Sequence, residues 1–175
     1  MTLQTERLLL REITKADFDA MREIHGDNET MRFYGGAFPP ETTSDWIDFL
    51  LQSYANHGFG LWAVEIPGQN RMIGMTGITY QLVDGEEIPE IGYLYNREFW
   101  GNGFATEAAT ACRDFGFREK EFDRLISWMV PDNTPSRRVA ERMGMTVWKE
   151  ALSAKSGLNH VVYSIDRDQV EAPGK

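Results

Sequence analysis

The stretch EIGYLYNREFWGNGFATEAATA, Glu90 to Ala111, holds a strand, a glycine turn and the start of a helix. Ile91, Tyr93 and Tyr95 alternate with Gly92 and Leu94 in a β-branched and aromatic run, which is the period of a strand. The run breaks at Asn96 and passes Gly101 and Gly103. It resumes with helical period, because Phe104, Ala108, Ala111, Cys112 and Phe115 fall on one apolar face. This order suits a phosphate: glycines let the backbone approach closely, and a helix's first turn offers unpaired N–H groups with partial positive charge. A Walker loop would end in Lys and then Ser or Thr, whereas Gly103 leads into Phe104 and Ala105. A Rossmann glycine motif usually follows the first strand of a βαβ unit, whereas this turn follows three strand-like segments joined by hairpin-type turns. On spacing alone, a lone glycine pair is more often a turn that merely packs a helix on a sheet than a phosphate site.

Upstream, Arg7–Ile13 reads as a first strand. Thr14 follows as an N-cap with Asp17 in capping-box position, and a helix then turns Ala16, Ala20, Met21 and Ile24 inward as far as Gly26. A polar link through Gly35, Gly36, Pro39 and Pro40 precedes a second helix, Thr43–His57, with Trp46, Phe49, Leu50 and Tyr54 on its buried face and Gly58 as its stop. The period then changes to that of strands: Phe59–Ile66, a turn at Pro67-Gly68-Gln69-Asn70, Arg71–Leu82, a turn at Asp84-Gly85, and a strand from about Ile88. Downstream lie a strand at Arg124–Val130, a helix at Asn133–Met143 closed by Gly144, and strands at Met145–Leu152 and His160–Ile165. The expectation is an α+β single domain over residues 1–166, a mixed, mostly antiparallel sheet of about seven strands flanked by about four helices. A loose polar tail is expected over residues 167–175.

At 175 residues the chain suits one domain with a sizeable core, and 42% hydrophobic and 12% aromatic content exclude a disordered one. No apolar run approaches a membrane span, and MTLQTERLLLRE has neither the basic leader nor the apolar core of a signal peptide. A single cysteine fits a reducing cytoplasm, and Cys112, on an apolar helix face, reads as a buried hydrophobe. Eighteen basic against 27 acidic residues give a net charge of −9, which makes nucleic acid a poor partner and favours cationic ones, amines included. His25 and His57 lie near helix C-termini, where the dipole favours a histidine, and His160 opens a strand. None has ligands at metal spacing, so no metal is expected, and no nucleophile-elbow sequence is present.

Two motifs carry a family resemblance. Trp100-Gly101-Asn102-Gly103-Phe104-Ala105 resembles the acetyl-CoA motif of the GNAT N-acetyltransferases, Arg/Gln-x-x-Gly-x-Gly/Ala. Trp100 departs from the general pattern in the manner of the branch containing the ribosomal-protein N-terminal acetyltransferases, to which the whole string is similar. Asn133-Thr-Pro-Ser136, running on to Gly144, resembles the family's Asn-x-x-Ser/Ala segment, about thirty residues downstream and in family order. The element order also matches the GNAT fold.

The resemblance implies a cytoplasmic acetyl-CoA-dependent N-acetyltransferase that transfers directly within a ternary complex, and the family often pairs as homodimers. The acceptor is implied to be a primary amine: a protein N-terminus, or a small amine such as a polyamine, an amino acid or an aminoglycoside. Its pocket would be formed by the first two helices and the loops near Phe33-Tyr34 and Asp84. By the same resemblance, Tyr93, Leu94 and Tyr95 hold the pantetheine arm and thioester, and the amides of Trp100, Gly101, Asn102, Gly103 and Phe104 cradle the pyrophosphate. Ala105 and Thr106 continue that first helical turn, Asn133 contacts the pantetheine or caps its helix, and Arg97 is a supplementary phosphate contact or a solvated loop residue. Acetyl transfer needs a proton acceptor for the amine and a proton for the departing thiolate. Glu90 is the candidate base, ahead of Glu65 and Asp84, and a strand-end carboxylate with no such role reads equally well. Ser136 is the candidate donor, because Ala140 stands where many family members carry a tyrosine; helix capping is its alternative. A non-catalytic acyl-CoA sensor would keep the glycine turn without needing Glu90 or Ser136.

Overall fold

Alternation and helical period resolve into one sheet in the computed structural model, which describes residues 2–69, 71–153 and 156–171. Asn70 of the expected turn and residues 172–175 of the expected tail lie outside them. The strands are β1 (Thr2–Gln4), β2 (Leu9–Glu12), β3 (Leu61–Glu65), β4 (Met72–Val83), β5 (Glu86–Tyr95), β6 (Arg124–Met129), β7 (Thr146–Leu152) and β8 (Asn159–Asp166). They form an eight-stranded sheet in the order β1-β2-β3-β4-β5-β6-β8-β7, antiparallel except where β5 meets β6. The α+β expectation holds, with one strand more than the seven expected. β1 is three residues long, too short to show a period, and a turn in which Thr5 N–H donates to Leu8 O at 2.9 Å separates it from β2.

The helices are α1 (Phe18–His25), α2 (Pro40–His57), α3 (Phe104–Arg118), α4 (Thr134–Arg142) and a short α5 (Arg167–Glu171). α5 occupies the start of the expected loose tail: Arg167 N–H bonds to Asp123 O at 2.9 Å and its Nε to Phe122 O at 3.0 Å, which anchors the chain there. Along β5, Ile91, Tyr93 and Tyr95 face the core that α3 shares with Trp62, Leu125 and Tyr163. Leu94 faces the opposite way, into the core built by α1 and α2 with Met21, Ile24, Ile47 and Leu50. The strand period of two thus divides the molecule into two layers around the sheet.

Two expectations about the helices need correction. Phe49 is 51% exposed, because α2's inward stripe runs through Thr43, Ile47, Leu50 and Tyr54, and Phe49 lies off that stripe. Ala16 is exposed in a 3-10 turn, Lys15–Asp17, that precedes α1. The Thr14–Asp17 pairing itself is present: Asp17 accepts Thr14 N–H at 2.8 Å and the Thr14 hydroxyl at 3.0 Å.

Asp17 also takes both arms of the Arg11 guanidinium, at 2.7 and 2.9 Å, while Glu65 receives Arg11 Nε at 2.8 Å. Burial alone would raise the Asp17 carboxyl, yet Arg11 and Thr14 hold it below its ordinary value. Asp17→Ala is expected to cost about 2 kcal/mol, because it leaves a half-buried guanidinium short of its partner. The wild-type contribution is present above the unfolded pKa of 3.8 and disappears as pH falls through the lowered folded value. Urea melts of both proteins at pH 7 and pH 2.5 check this: the gap should shrink at the acid pH.

Candidate active site

The pairing of β5 with β6 fixes the site. β5 runs beside β4 for its full length, Glu86 through Tyr95, yet it pairs with β6 only where Glu90 stands opposite Ile126. One residue on, the Ser127 hydroxyl donates to Ile91 O at 2.5 Å, so a side chain replaces a ladder bond. Beyond that point the strands part, and the β5 edge from Gly92 onward offers main-chain groups without a strand partner on that side.

At the end of β5 the glycine turn is built to leave donors open. Gly101 and Gly103 both have φ +79°, a left-handed conformation that glycine adopts without a Cβ penalty. Gly103 is the N-cap of α3 and no side chain caps the helix, so its first-turn amides face outward. Trp100 is an exception among the expected amide donors, because its N–H already bonds to Arg97 O at 3.2 Å. The Trp100 indole donates to Tyr95 O at 2.9 Å, folding the turn back onto β5. The exposed Asn102 ties the turn to itself, its side-chain Nδ2 donating to Phe99 O and Trp100 O at 3.1 and 3.2 Å. Arg7 clamps the helix start: it pairs with Glu107 at 2.6 Å, donates to Asn102 O at 3.1 Å and lies over the Phe104 ring at 4.8 Å.

A cleft of about 460 Å³ joins the turn to the parted strands. Tyr93, Leu94, Tyr95, Trp100, Gly101, Gly103, Phe104, Ala105, Thr106, Asn133 and Ser136 all line it; Asn102 and Glu90 do not. Asn133 caps α4, accepting Ser136 N–H at 3.2 Å. Ser136 is therefore not the cap, and its hydroxyl has no partner among the described residues. Tyr93 reaches across the gap to donate to Ser136 O at 2.7 Å, tying β5 to α4. The Tyr95 hydroxyl is turned inward, 2.8 Å from that of Thr76.

Glu90 sits at the base of the parting. It is half-buried, and loss of hydration raises its carboxyl to about 7, against a smaller opposing contribution from the Trp128 N–H. Its charge is felt at the hydroxyls of Tyr34 and Tyr93, both in the cleft wall. Glu65 is committed to Arg11 at 2.6 Å and Asp84 to Lys149 at 2.7 Å, so neither is free to take a proton from the cleft. Arg97 lies outside the cleft lining, with Asp27 at 3.9 Å.

Several cleft residues escaped the sequence analysis. Arg138 and Arg142, one helical turn apart on α4, line the cleft, and their i, i+4 spacing was the available signal. Arg32 lines it too, its guanidinium 4.6 Å from the Phe33 ring and 5.6 Å from the Trp100 ring. His25 closes α1, as expected; it is fully buried, and burial with Arg22 nearby lowers its pKa to about 4, so it is neutral. Among the described residues, no cluster of three His, Cys, Asp or Glu could hold a metal, and no helix is long and apolar enough to cross a membrane.

Known proteins resemble this chain in sequence and in fold. YkkB of Bacillus subtilis is 34% identical over 144 residues, covering 82% of this chain and 84% of its own. The N-acetyltransferase YnaD of the same organism is 31% identical over 146 residues, covering 83% and 82%. The crystal structure of an acetyltransferase from Agrobacterium tumefaciens superposes with TM-score 0.82 at 32% identity over 94% of each chain. The coenzyme A complex of RimL, a ribosomal L7/L12 alpha-N-protein acetyltransferase, shares the fold, with TM-score 0.75 at 17% identity over 95% of this chain and 98% of its own. The acetyltransferase (GNAT) domain matches residues 7–146, a span that runs from the Arg7 clamp through the parted strands and the glycine turn to the start of β7. With the match covering that whole site, the chain belongs to the GNAT acetyltransferase family, whose members move an acetyl group from acetyl-CoA.

Proposed function

We propose that this acetyltransferase acetylates a primary amine by direct attack within a ternary complex, Glu90 taking the amine proton. The observation that carries this reading is the cleft that joins the open α3 amides to the parted strands, at whose base, outside the lining, Glu90 stands. The residues present fit acetyl-CoA: uncapped first-turn amides and the arginines Arg138 and Arg142 suit phosphates, and the unpaired β5 edge suits the amides of a pantetheine arm. RimL, the fold relative solved with coenzyme A, supports that assignment. When bound, acetyl-CoA supplies the thioester carbon that the amine attacks.

The chain's own residues divide the remaining work. Main-chain groups of Tyr93 to Tyr95 hold the arm, and the amides from Gly101 to Thr106 hold the pyrophosphate. A carboxylate with a pKa of about 7 is half ionised near neutrality, which suits a base that must accept a proton and release it again. Ser136 holds its hydroxyl toward the leaving sulfur, as a hydrogen-bond donor and relay, since its own pKa is far above neutrality. The branch resemblance and RimL's activity as an alpha-N-protein acetyltransferase support a protein N-terminus as acceptor. The test is a screen of N-terminal peptides and small amines with acetyl-CoA, following free thiol. Release that depends on an amine is expected; tight coenzyme A binding with no acceptor turned over would favour a sensor.

Arg138 and Arg142 give a second check. Replacing both by Ala is expected to weaken acetyl-CoA binding about tenfold and to flatten its salt dependence. Unchanged affinity at low salt would remove them from the phosphate site.

A further inference from the structure

The sheet face that α1 and α2 cover continues beyond them. Alternation puts Ile88, Glu90 and Leu94 on that face of β5. Glu90 is opposite Ile126, so Trp128 follows on the same face of β6. Trp128 is opposite Val162, which brings His160 to that face of β8. Val83, Ile126, Ala151 and Val162 form a small core there, with Ile88 and Trp128 packed on it. The Trp128 and His160 rings are stacked, 4.3 Å between centroids and 15° from parallel.

His160 Nδ1 is 2.9 Å from Leu158 O. A carbonyl oxygen only accepts, so in the neutral ring Nδ1 carries the proton and Nε2 keeps a lone pair. That lone pair has no partner among the described residues, and, in contrast to Nε2 of His25, it is not buried. From Glu90 the imidazole is two strand spacings across, about 10 Å, and four residues along, about 13 Å. A compact amine held at Glu90 cannot span that gap. The diagonal is about 16 Å, so an extended peptide, advancing about 3.3 Å per residue, brings the backbone N–H of its fifth or sixth residue there. Lys149, opposite Val162 on this face, is paired with Asp84 at 2.7 Å, so that carboxylate is not available to the second ammonium of a polyamine.

Resting on the acetyl-transfer reading above, we propose that Trp128 and His160 form an acceptor subsite. In it, His160 Nε2 accepts a backbone N–H from a peptide whose N-terminal amine lies at Glu90. The stacked indole holds the imidazole in the orientation that presents this lone pair, and the subsite selects extended peptides over small amines.

The test observes the His160 ring nitrogens by ¹⁵N NMR in coenzyme A-saturated protein, with an alanine hexapeptide amide, n-butylamine and spermidine as probes. The His160→Phe variant, which keeps a stacked ring and lacks the lone pair, assigns the resonance. The hexapeptide is expected to shift Nε2 and n-butylamine to leave it in place, and His160→Phe should bind the hexapeptide about tenfold more weakly. An Nε2 resonance unmoved by the hexapeptide, moved equally by n-butylamine, or moved by spermidine alone overturns the subsite; where His160→Phe fails to fold, His160→Gln, at the same half-buried strand position, assigns the resonance. Calorimetry with acetyl-CoA separates the two failures: a protein that binds acetyl-CoA while His160 stays silent loses only the subsite.

Discussion

Gly103→Val is expected to weaken acetyl-CoA binding by about a hundredfold or more while the protein stays folded. Space is not the reason, because a Cβ at this position meets nothing closer than Arg7 Nη2 at 3.6 Å. The reason is the backbone. Gly103 is left-handed at φ +79°, which costs an ordinary L-residue about 1–2 kcal/mol and a β-branched one more. The chain relieves that strain by rotating the peptide that opens α3, and the amides of the first turn then no longer converge. Losing two charge-assisted hydrogen bonds to a pyrophosphate, at about 1.5 kcal/mol each, accounts for the hundredfold. Gly103→Asn, which tolerates the left-handed region, should retain most of the affinity. Calorimetry alongside thermal melts separates lost binding from lost folding, and normal affinity in the valine variant would make the turn merely structural.

Glu90→Gln is expected to lower turnover about a hundredfold with acetyl-CoA affinity unchanged, since glutamine fills the same space and cannot accept the proton. Wild-type rate should rise with pH through about 7, where the carboxyl ionises, and the variant should lack that limb. Stability changes in the opposite sense. The folded pKa of about 7 lies above the unfolded value of 4.5, so the unfolded chain ionises first. Wild type therefore loses stability as pH rises from about 4.5 to about 7 and is flat above, a slope that Glu90→Gln removes. A pH–rate profile and a set of melts from pH 4 to 8 check both. An identical rate profile in the two proteins would dismiss Glu90 as the base.

What could be read in the sequence was local, and what could not was long-range. The strand–turn–helix from Glu90 to Ala111 was legible because its period changes from two to 3.6 across a pair of glycines. β5 and α3 accordingly bury Ile91, Tyr95, Ala108, Cys112 and Phe115 as their patterns demand. The Arg7–Glu107 clamp was invisible because its partners are a hundred residues apart. The parting of β5 from β6 depends on a register set across the sheet, which no single segment encodes. Phe49 departs from its expected place because apolar character was weighed where the angular position on the helix decides burial. Trp100 was noted as a departure from the family pattern, but its indole bond to Tyr95 O, which gives it a folding role, appears only in three dimensions.

Amide hydrogen exchange with and without acetyl-CoA tests the central claim most directly. If the open donors at the start of α3 grip the pyrophosphate, exchange should slow across residues 101–106 and along the exposed edge of β5, with little change in α1 or α2. Unaltered exchange in 101–106 under saturating acetyl-CoA, or protection confined to another part of the molecule, would contradict it.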